Sequence, residues 1–416
     1  MSYAFDLVAA LLGLAALFGY LNHRLLKLPR TIGLLVIAMA ASVAVLALDS
    51  VLPGSGVAAD MRAWLADIDF SEALMKGMLS FLLFAGALHV DLGDLAERKW
   101  AISTLATVGV LLSTFLVGGA AWLLFAALGF NVPFIYCLLF GALISPTDPV
   151  AVLSILKGLD VPRSLETKIA GESLFNDGVG VVVFTILAAI AFGGEPVGVG
   201  DAAVLFLREA VGGALLGLAA GGLAFYALRS IDEYVLEVII TLALVTVGYA
   251  VAQALYLSGP IAVVVAGLLI GNQGTALAMS ETTREHVHTF WELIDEVLNA
   301  ILFLLIGLEV VALALTPAHL WAMLGMIPAV LAARFASVGL PLAALSLRRD
   351  FTRGAVPILT WGGLRGGISV ALALSLPDWP DKDLILAVTY GVVVFSIVVQ
   401  GTTAAAFVRR VLRANA

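Results

Sequence analysis

The sequence predicts an all-α polytopic membrane protein of about thirteen transmembrane helices, arranged as inverted repeats with two discontinuous helices. Three observations predict it. Hydrophobic residues make up 62% of the 416-residue chain and charged residues only 12%. A soluble domain carries about 25% charged residues, so this composition cannot cover a water-facing surface of such size. The apolar residues also fall into runs of roughly the 20 residues that a helix needs to cross a hydrocarbon core. Finally, two of the runs are interrupted in mid-membrane, at matching places in the two halves.

The runs cover roughly 4–22, 31–50, 70–90, 100–127, 132–156, 167–193, 202–228, 234–257, 259–272, 286–314, 320–347, 355–376 and 384–408. Each is too long and too uniformly apolar for a barrel strand, so the spans are helical. With no long charged or Ser/Gly/Pro-rich stretch, residues 1–416 read as a single membrane unit whose solvent is the lipid bilayer. Nucleic acid is excluded as a partner, because 22 Lys+Arg face 30 Asp+Glu. Cys137 is the single cysteine, which excludes an intrachain disulfide and a cysteine-rich metal site.

Orientation follows from counting. The connections joining runs 1–2, 3–4, 5–6, 7–8, 9–10 and 11–12, together with the C-terminus, hold 16 of the 22 basic residues. The opposite connections hold Arg62 and Lys382 among acids such as Asp49, Asp60, Asp67, Asp378 and Asp383. Basic connections stay cytoplasmic, so the N-terminus is expected outside and the C-terminus inside.

The fifth run reads FGALISPTDPVAVLSIL. Pro146 and Pro149 each remove a backbone donor and collide with the preceding turn, so a helix cannot pass cleanly through Ser145 to Pro149. The twelfth run reads PILTWGGLRGGISVALAL, with Gly362, Gly363, Gly366 and Gly367 around Arg365. Runs 1–6 carry their break in the fifth member, and runs 8–13 carry theirs in run 12, again the fifth. Run 7 lies between, so the two sets enter the membrane from opposite sides. Matched discontinuous helices in inverted repeats place a transporter's binding site.

Ionisable groups deep in a bundle are costly and mark function. Run 6 contains Glu172 and Asp177 well inside its apolar stretch. At 1.5 Å per residue Asp177 lies roughly 14 Å beyond Lys168, and Asp148 roughly 12 Å from the cytoplasmic end of run 5. The two carboxylates are therefore expected at one depth, near the midplane. Ser173 and Asp177 share a helix face, and Glu172 and Asn176 form a neighbouring stripe. Ser173, Asp177, Thr147 and Asp148 with the freed backbone of run 5 would make an oxygen-rich cage, which suits a hard cation. Arg334 and Arg365 lie mid-run and need partners. Glu172 is the better candidate for Arg334 and Glu72 a weaker one for Arg365, though either arginine could neutralise the termini of a broken helix. Glu309 is expected at the interface.

The motifs SPTDPVAV, GESLFNDGVGVVVF, NAILFLLIGLEV and WGGLRGGISVAL together closely resemble the cation/proton antiporters of the NhaP type, prokaryotic relatives of the eukaryotic sodium/proton exchangers. The resemblance covers essentially the whole chain. It implies a homodimer in the cell (inner) membrane, with an ion-binding core bundle at 100–199 and 320–416 and a dimerisation bundle at 1–99 and 200–319. It implies ion chemistry at Asn176 and Asp177, ligands at Thr147, Asp148 and Ser173, and a structural set of Glu172, Arg334 and Arg365. No cofactor and no catalytic residue are expected; sodium ions and protons are the cargo.

The expected activity is secondary active sodium/proton antiport by alternating access, with H⁺ and Na⁺ competing for a buried carboxylate site. Asn176 stands where a related antiporter group has a second Asp, so exchange is expected to be electroneutral, one for one. A potassium/proton antiporter of the same fold and a gated cation channel are the alternatives. A channel is disfavoured by the repeat-matched breaks. An intramembrane aspartyl hydrolase is disfavoured because the Gly-containing signature of such enzymes is missing.

Overall fold

The structure, a computed structural model, describes residues 2–52, 56–66, 70–148, 163–193, 198–313, 315–346 and 354–415. Among the described residues all regular elements are helical, and nine helices are long and apolar enough to cross a membrane. Pro149, the remainder of the fifth run to 156, and the basic residues Lys157, Arg348, Arg349 and Arg353 lie outside the described residues.

The chain begins with α1 (Ser2–Leu21), α2 (Arg30–Val51), a short α3 (Val57–Ala66) and α4 (Leu79–Leu88), which is entered through a π-helical stretch at Ala73–Met78. The sequence offered α3 only as a connection; its Arg62 donates to the carbonyl of Val311 at 2.9 Å. Then come α5 (Leu92–Ala127), α6 (Phe134–Ile144), α7 (Arg163–Phe192) and α8 (Val199–Arg229). The second half holds α9 (Tyr234–Ala254), α10 (Gly259–Leu269), α11 (Glu281–Leu308) and α12 (Pro317–Ser346). It ends with α13 (Ala355–Trp361), α14 (Gly367–Leu374), α15 (Lys382–Phe395) and α16 (Gly401–Asn415).

Local chemistry sets several of these boundaries. Asp91 caps α5 by accepting from the backbone N–H of Asp94 at 2.9 Å, and Ser258 and Ser280 cap α10 and α11 in the same way. Pro260 sits in the first turn of α10, where its missing N–H costs nothing. α6 stops at Ile144, two residues before Pro146, which has no backbone N–H with which to continue the ladder.

Packing joins α6 to α5 and α7, and α12 to α5, α13 and α15. A second set links α8, α9 and α11 through α10 and α4, with α2 against α11, while α7 touches both α8 and α10. One close approach is glycine-made: a Cβ on Gly141 of α6 would collide with the Thr114 carbonyl of α5. The exterior is apolar, with Leu223 74% exposed and Phe5, Leu123 and Tyr226 similarly open. The interior holds Glu172, Asp177, Arg334 and Arg365, all buried. That inversion of the soluble pattern suits a lipid surround.

Candidate functional site

The two interrupted helices meet at their breaks. α6 ends at Ile144, and the chain runs non-helically to Asp148; α13 ends at Trp361, and α14 begins at Gly367. The backbone N–H of Asp148 donates to the carbonyl of Leu364 at 2.8 Å, an antiparallel bridge between the two breaks. Breaking a helix frees backbone groups that lipid cannot satisfy, and each break here supplies a partner to the other. The approach needs Gly366, since a Cβ there would lie 2.5 Å from Asp148 Oδ2.

Each break also carries an arginine at its carbonyl end. Arg365 Nη1 donates to the carbonyls of Ser145 at 2.5 Å and Pro146 at 3.1 Å, just past the end of α6. Its backbone N–H donates to Ser396 Oγ at 2.9 Å, which fixes it to the stretch following α15. Arg334 Nη1 pairs with Glu172 Oε1 at 2.5 Å, and Nη2 donates to the Leu359 carbonyl near the end of α13 at 3.3 Å. Helix C-termini carry partial negative charge, so both guanidiniums sit where the field favours a cation. Glu72, considered as a partner of Arg365, is exposed at the start of its run, and the described bonds of Arg365 go to carbonyl oxygens instead. The carbonyls released by the break lie within hydrogen-bond reach of the guanidinium and satisfy it there.

α7 is fastened to the first break. The amide of Asn176 accepts from Thr147 N–H at 3.2 Å and donates to Thr147 Oγ1 at 2.8 Å. Ser173 Oγ donates to the Thr147 carbonyl. Asp177, one turn further on, is buried, and its Oδ1 has no hydrogen-bond partner among the described residues.

Asp177, Asp148, Thr147 and Ser173 line one cavity of about 530 Å³. The two carboxylates are near enough for their charges to act on one another. Toward its mouth the cavity meets Asp91, Asp94, Glu166, Glu292 and Glu296, on the side of the basic connections. Four of the five expected site residues thus share a wall. Asn176 does not line the cavity; both ends of its amide are occupied in holding Thr147.

The wall also contains Asp295, Asn299 and Ser369, none of which the sequence reading selected. The signal was present for two of them. Glu292, Asp295 and Asn299 recur at three- and four-residue spacing, with Glu296 beside them, which places one polar stripe on α11. Ser369 gave no such signal, since a lone serine among apolar residues is commonplace.

Residues 12–410 match the family model described as "Sodium/hydrogen exchanger, transmembrane". The Na⁺/H⁺ antiporter NhaP of Pseudomonas aeruginosa is 52% identical over 410 residues, covering 98% of this chain and 96% of its own. The Na⁺/H⁺ antiporter NhaH of Halobacillus dabanensis is 38% identical over 341 residues, covering 80% of this chain and 82% of its own. Among solved structures, the sodium proton antiporter MjNhaP1 from Methanocaldococcus jannaschii superposes with a TM-score of 0.74 at 18% identity, covering 98% of both chains. With the crossed broken helices and the buried carboxylates already in hand, these matches settle the affiliation: the chain belongs to the transmembrane sodium/hydrogen exchanger family.

Proposed function

We propose that this protein exchanges sodium ions for protons across the membrane, at a site built from Asp148, Asp177, Ser173 and Thr147. The observation that carries the reading is the placement of two carboxylates on one cavity wall beside the crossing, one of them with an unpartnered buried oxygen. A carboxylate in low dielectric beside a second one is stable only when a proton or a cation compensates it. Sodium bound between Asp148 and Asp177 would displace the proton, and protonation would displace sodium. The hydroxyls of Ser173 and Thr147 supply further hard oxygen donors, which suit an alkali ion. If the loaded site alone can cross the membrane barrier, exchange is obligatory without further machinery.

Asn176 adds no titratable group to this site, which supports a one-for-one, electroneutral cycle. By the distribution of basic connections the cavity opens to the cytoplasm, with the C-terminus on that same side. A core bundle at 100–199 and 320–416 would carry the site past a dimerisation bundle at 1–99 and 200–319 of a homodimer in the cell membrane.

Antiport by the purified protein in liposomes tests this reading, with sodium, potassium and lithium compared across pH. Sodium-driven proton flux that saturates is the expected result. Flux driven by potassium alone would make the protein a potassium/proton antiporter of the same fold. Single-channel currents would make it a channel.

A further inference from the structure

The cavity extends well beyond the carboxylate pair. Glu292, Asp295, Asn299 and Leu302 all line it, at spacings of three and four residues, so one face of α11 forms a wall. Leu302 marks the inner end. A Cβ on Gly367 would lie 2.5 Å from its Cδ1, next to the glycine that touches Asp148. Along α11, Asn299 then sits about 4.5 Å and Asp295 about 10 Å nearer the mouth than Leu302.

Three features single out Asp295 and Asn299. Asn299 lines the cavity, is only 4% exposed and sits one turn from Asp295, so an amide and a carboxylate share one stretch of wall. The two ends of the amide interchange by a half-turn, so the position can equally present an oxygen. Next, no ion pair reaches Asp295 among the described residues, whereas Arg30 pairs with neighbouring Glu296 at 2.6 Å and Arg98 with Asp94 at 3.5 Å. Lastly, Asp295 lies near enough to Asp148 for their charges to interact.

We propose that Asp295 and Asn299 form an outer cation site, which holds a partly hydrated alkali ion on its way to Asp148 and Asp177. The proposal rests on the exchange reading above and adds a waiting position to it. One carboxylate and one amide oxygen leave most of the ion's hydration shell in place, so the site is weak by construction. Its occupant offsets the negative charge that Asp148 and Asp295 impose on each other, which lowers the barrier to entry.

Oriented proteoliposomes test the proposal. With Asp295→Asn, the KM for sodium offered on the cavity face rises about fivefold or more, which corresponds to about 1 kcal/mol. Vmax at saturating sodium and the KM on the opposite face stay near wild type, and Asp295→Glu recovers most of the affinity. An unchanged KM, an equal rise on both faces, or no recovery with glutamate would overturn it. Binding of ²²Na⁺ to purified Asp177→Asn gives an independent arm. Weak saturable binding should persist there and vanish when Asp295→Asn is added; absence of residual binding counts against the outer site. If wild-type protein binds ²²Na⁺ in an Asp295-dependent way but shows no sodium-driven proton flux, the exchange reading fails and the outer site stands.

Discussion

The Glu172 carboxylate on α7 and the Arg334 guanidinium on α12 lie 2.5 Å apart, both buried, beside the crossing of the two broken helices. Through its second contact, to the Leu359 carbonyl at 3.3 Å, Arg334 also reaches α13. The pair therefore ties three helices around the site without touching the cavity wall. Removing one member strands the other charge in a dry interior, which costs about 3–5 kcal/mol. Glu172→Gln is expected to lower the thermal unfolding midpoint of the detergent-purified protein markedly, while sodium affinity of the folded fraction stays near wild type. A variant that is fully stable but does not respond to sodium would make Glu172 a ligand.

Asp177→Asn should behave in the opposite way. Asp177 Oδ1 has no described hydrogen bond to lose, and asparagine has nearly the same shape. The substitution removes a charge from the cavity wall and leaves the packing intact, so the protein should purify as a folded species. Sodium-driven proton flux, followed by a pH-sensitive dye in proteoliposomes, should be absent. Retained flux would reassign the site.

Gly366→Ala probes the crossing itself. A Cβ there would lie 2.5 Å from Asp148 Oδ2, so either the carboxylate or the α14 entry must move. Displacement of a ligand by that much is expected to raise the KM for sodium about tenfold, which is about 1.4 kcal/mol. Gly339→Ala is the control, because its Cβ would meet Val356 Cγ1 at an ordinary 3.6 Å. Alanine there should be neutral or slightly stabilising by helix propensity. Equal effects of the two substitutions would show that Gly366 has no special role.

The breaks were legible because proline and glycine act locally: two prolines three residues apart around Thr147 and Asp148 weaken the helix far more than the single prolines, Pro328 and Pro341, that α12 accommodates. That Asp148 and Asp177 would come together followed from rise per residue alone, and both line one cavity. Glu172 and Arg334 could be matched because few buried charges exist to choose from. The partner of Arg365 was harder to read, since backbone carbonyls released by a break carry no sequence letter. Asp295 escaped notice because the charged stripe at 292–299 resembles a solvated helix end. Only the packing of Leu302 against Gly367 shows that the stripe leads inward. The short helix at Val57–Ala66 lacked the length and hydropathy of a span, so it read as a connection.

Competition for one site fixes the sign of the pH effect. Below the range in which the carboxylates release their protons, sodium must displace a bound proton, and the proton concentration grows tenfold with each unit fall in pH. The KM for sodium should therefore rise as pH falls, by up to about tenfold per unit in the limit of pure competition, and level off at high pH. Vmax at saturating sodium should change far less on the sodium-loading side. Sodium titrations of initial rates at several pH values check this. A KM that stays constant while Vmax alone collapses would mean that protons act at a separate site.

Charge bookkeeping around Thr147 leads to the last expectation. The neighbour of Asp177 is Asn176, and its amide is committed at both ends, accepting at 3.2 Å and donating at 2.8 Å. It can take up neither a proton nor a cation charge during the cycle. If Asp148 and Asp177 together release one proton for each sodium they accept, the loaded site carries the same charge in both directions. A membrane potential then does no net work on the exchange, in contrast to about 2.3 kcal/mol per elementary charge per 100 mV for a charge-moving cycle. Clamping the potential in proteoliposomes with a potassium gradient and an ionophore should leave the sodium/proton exchange rate unchanged. A clear dependence on potential would require a second exchanged proton, and Asp295 would be the first carboxylate to test as its carrier.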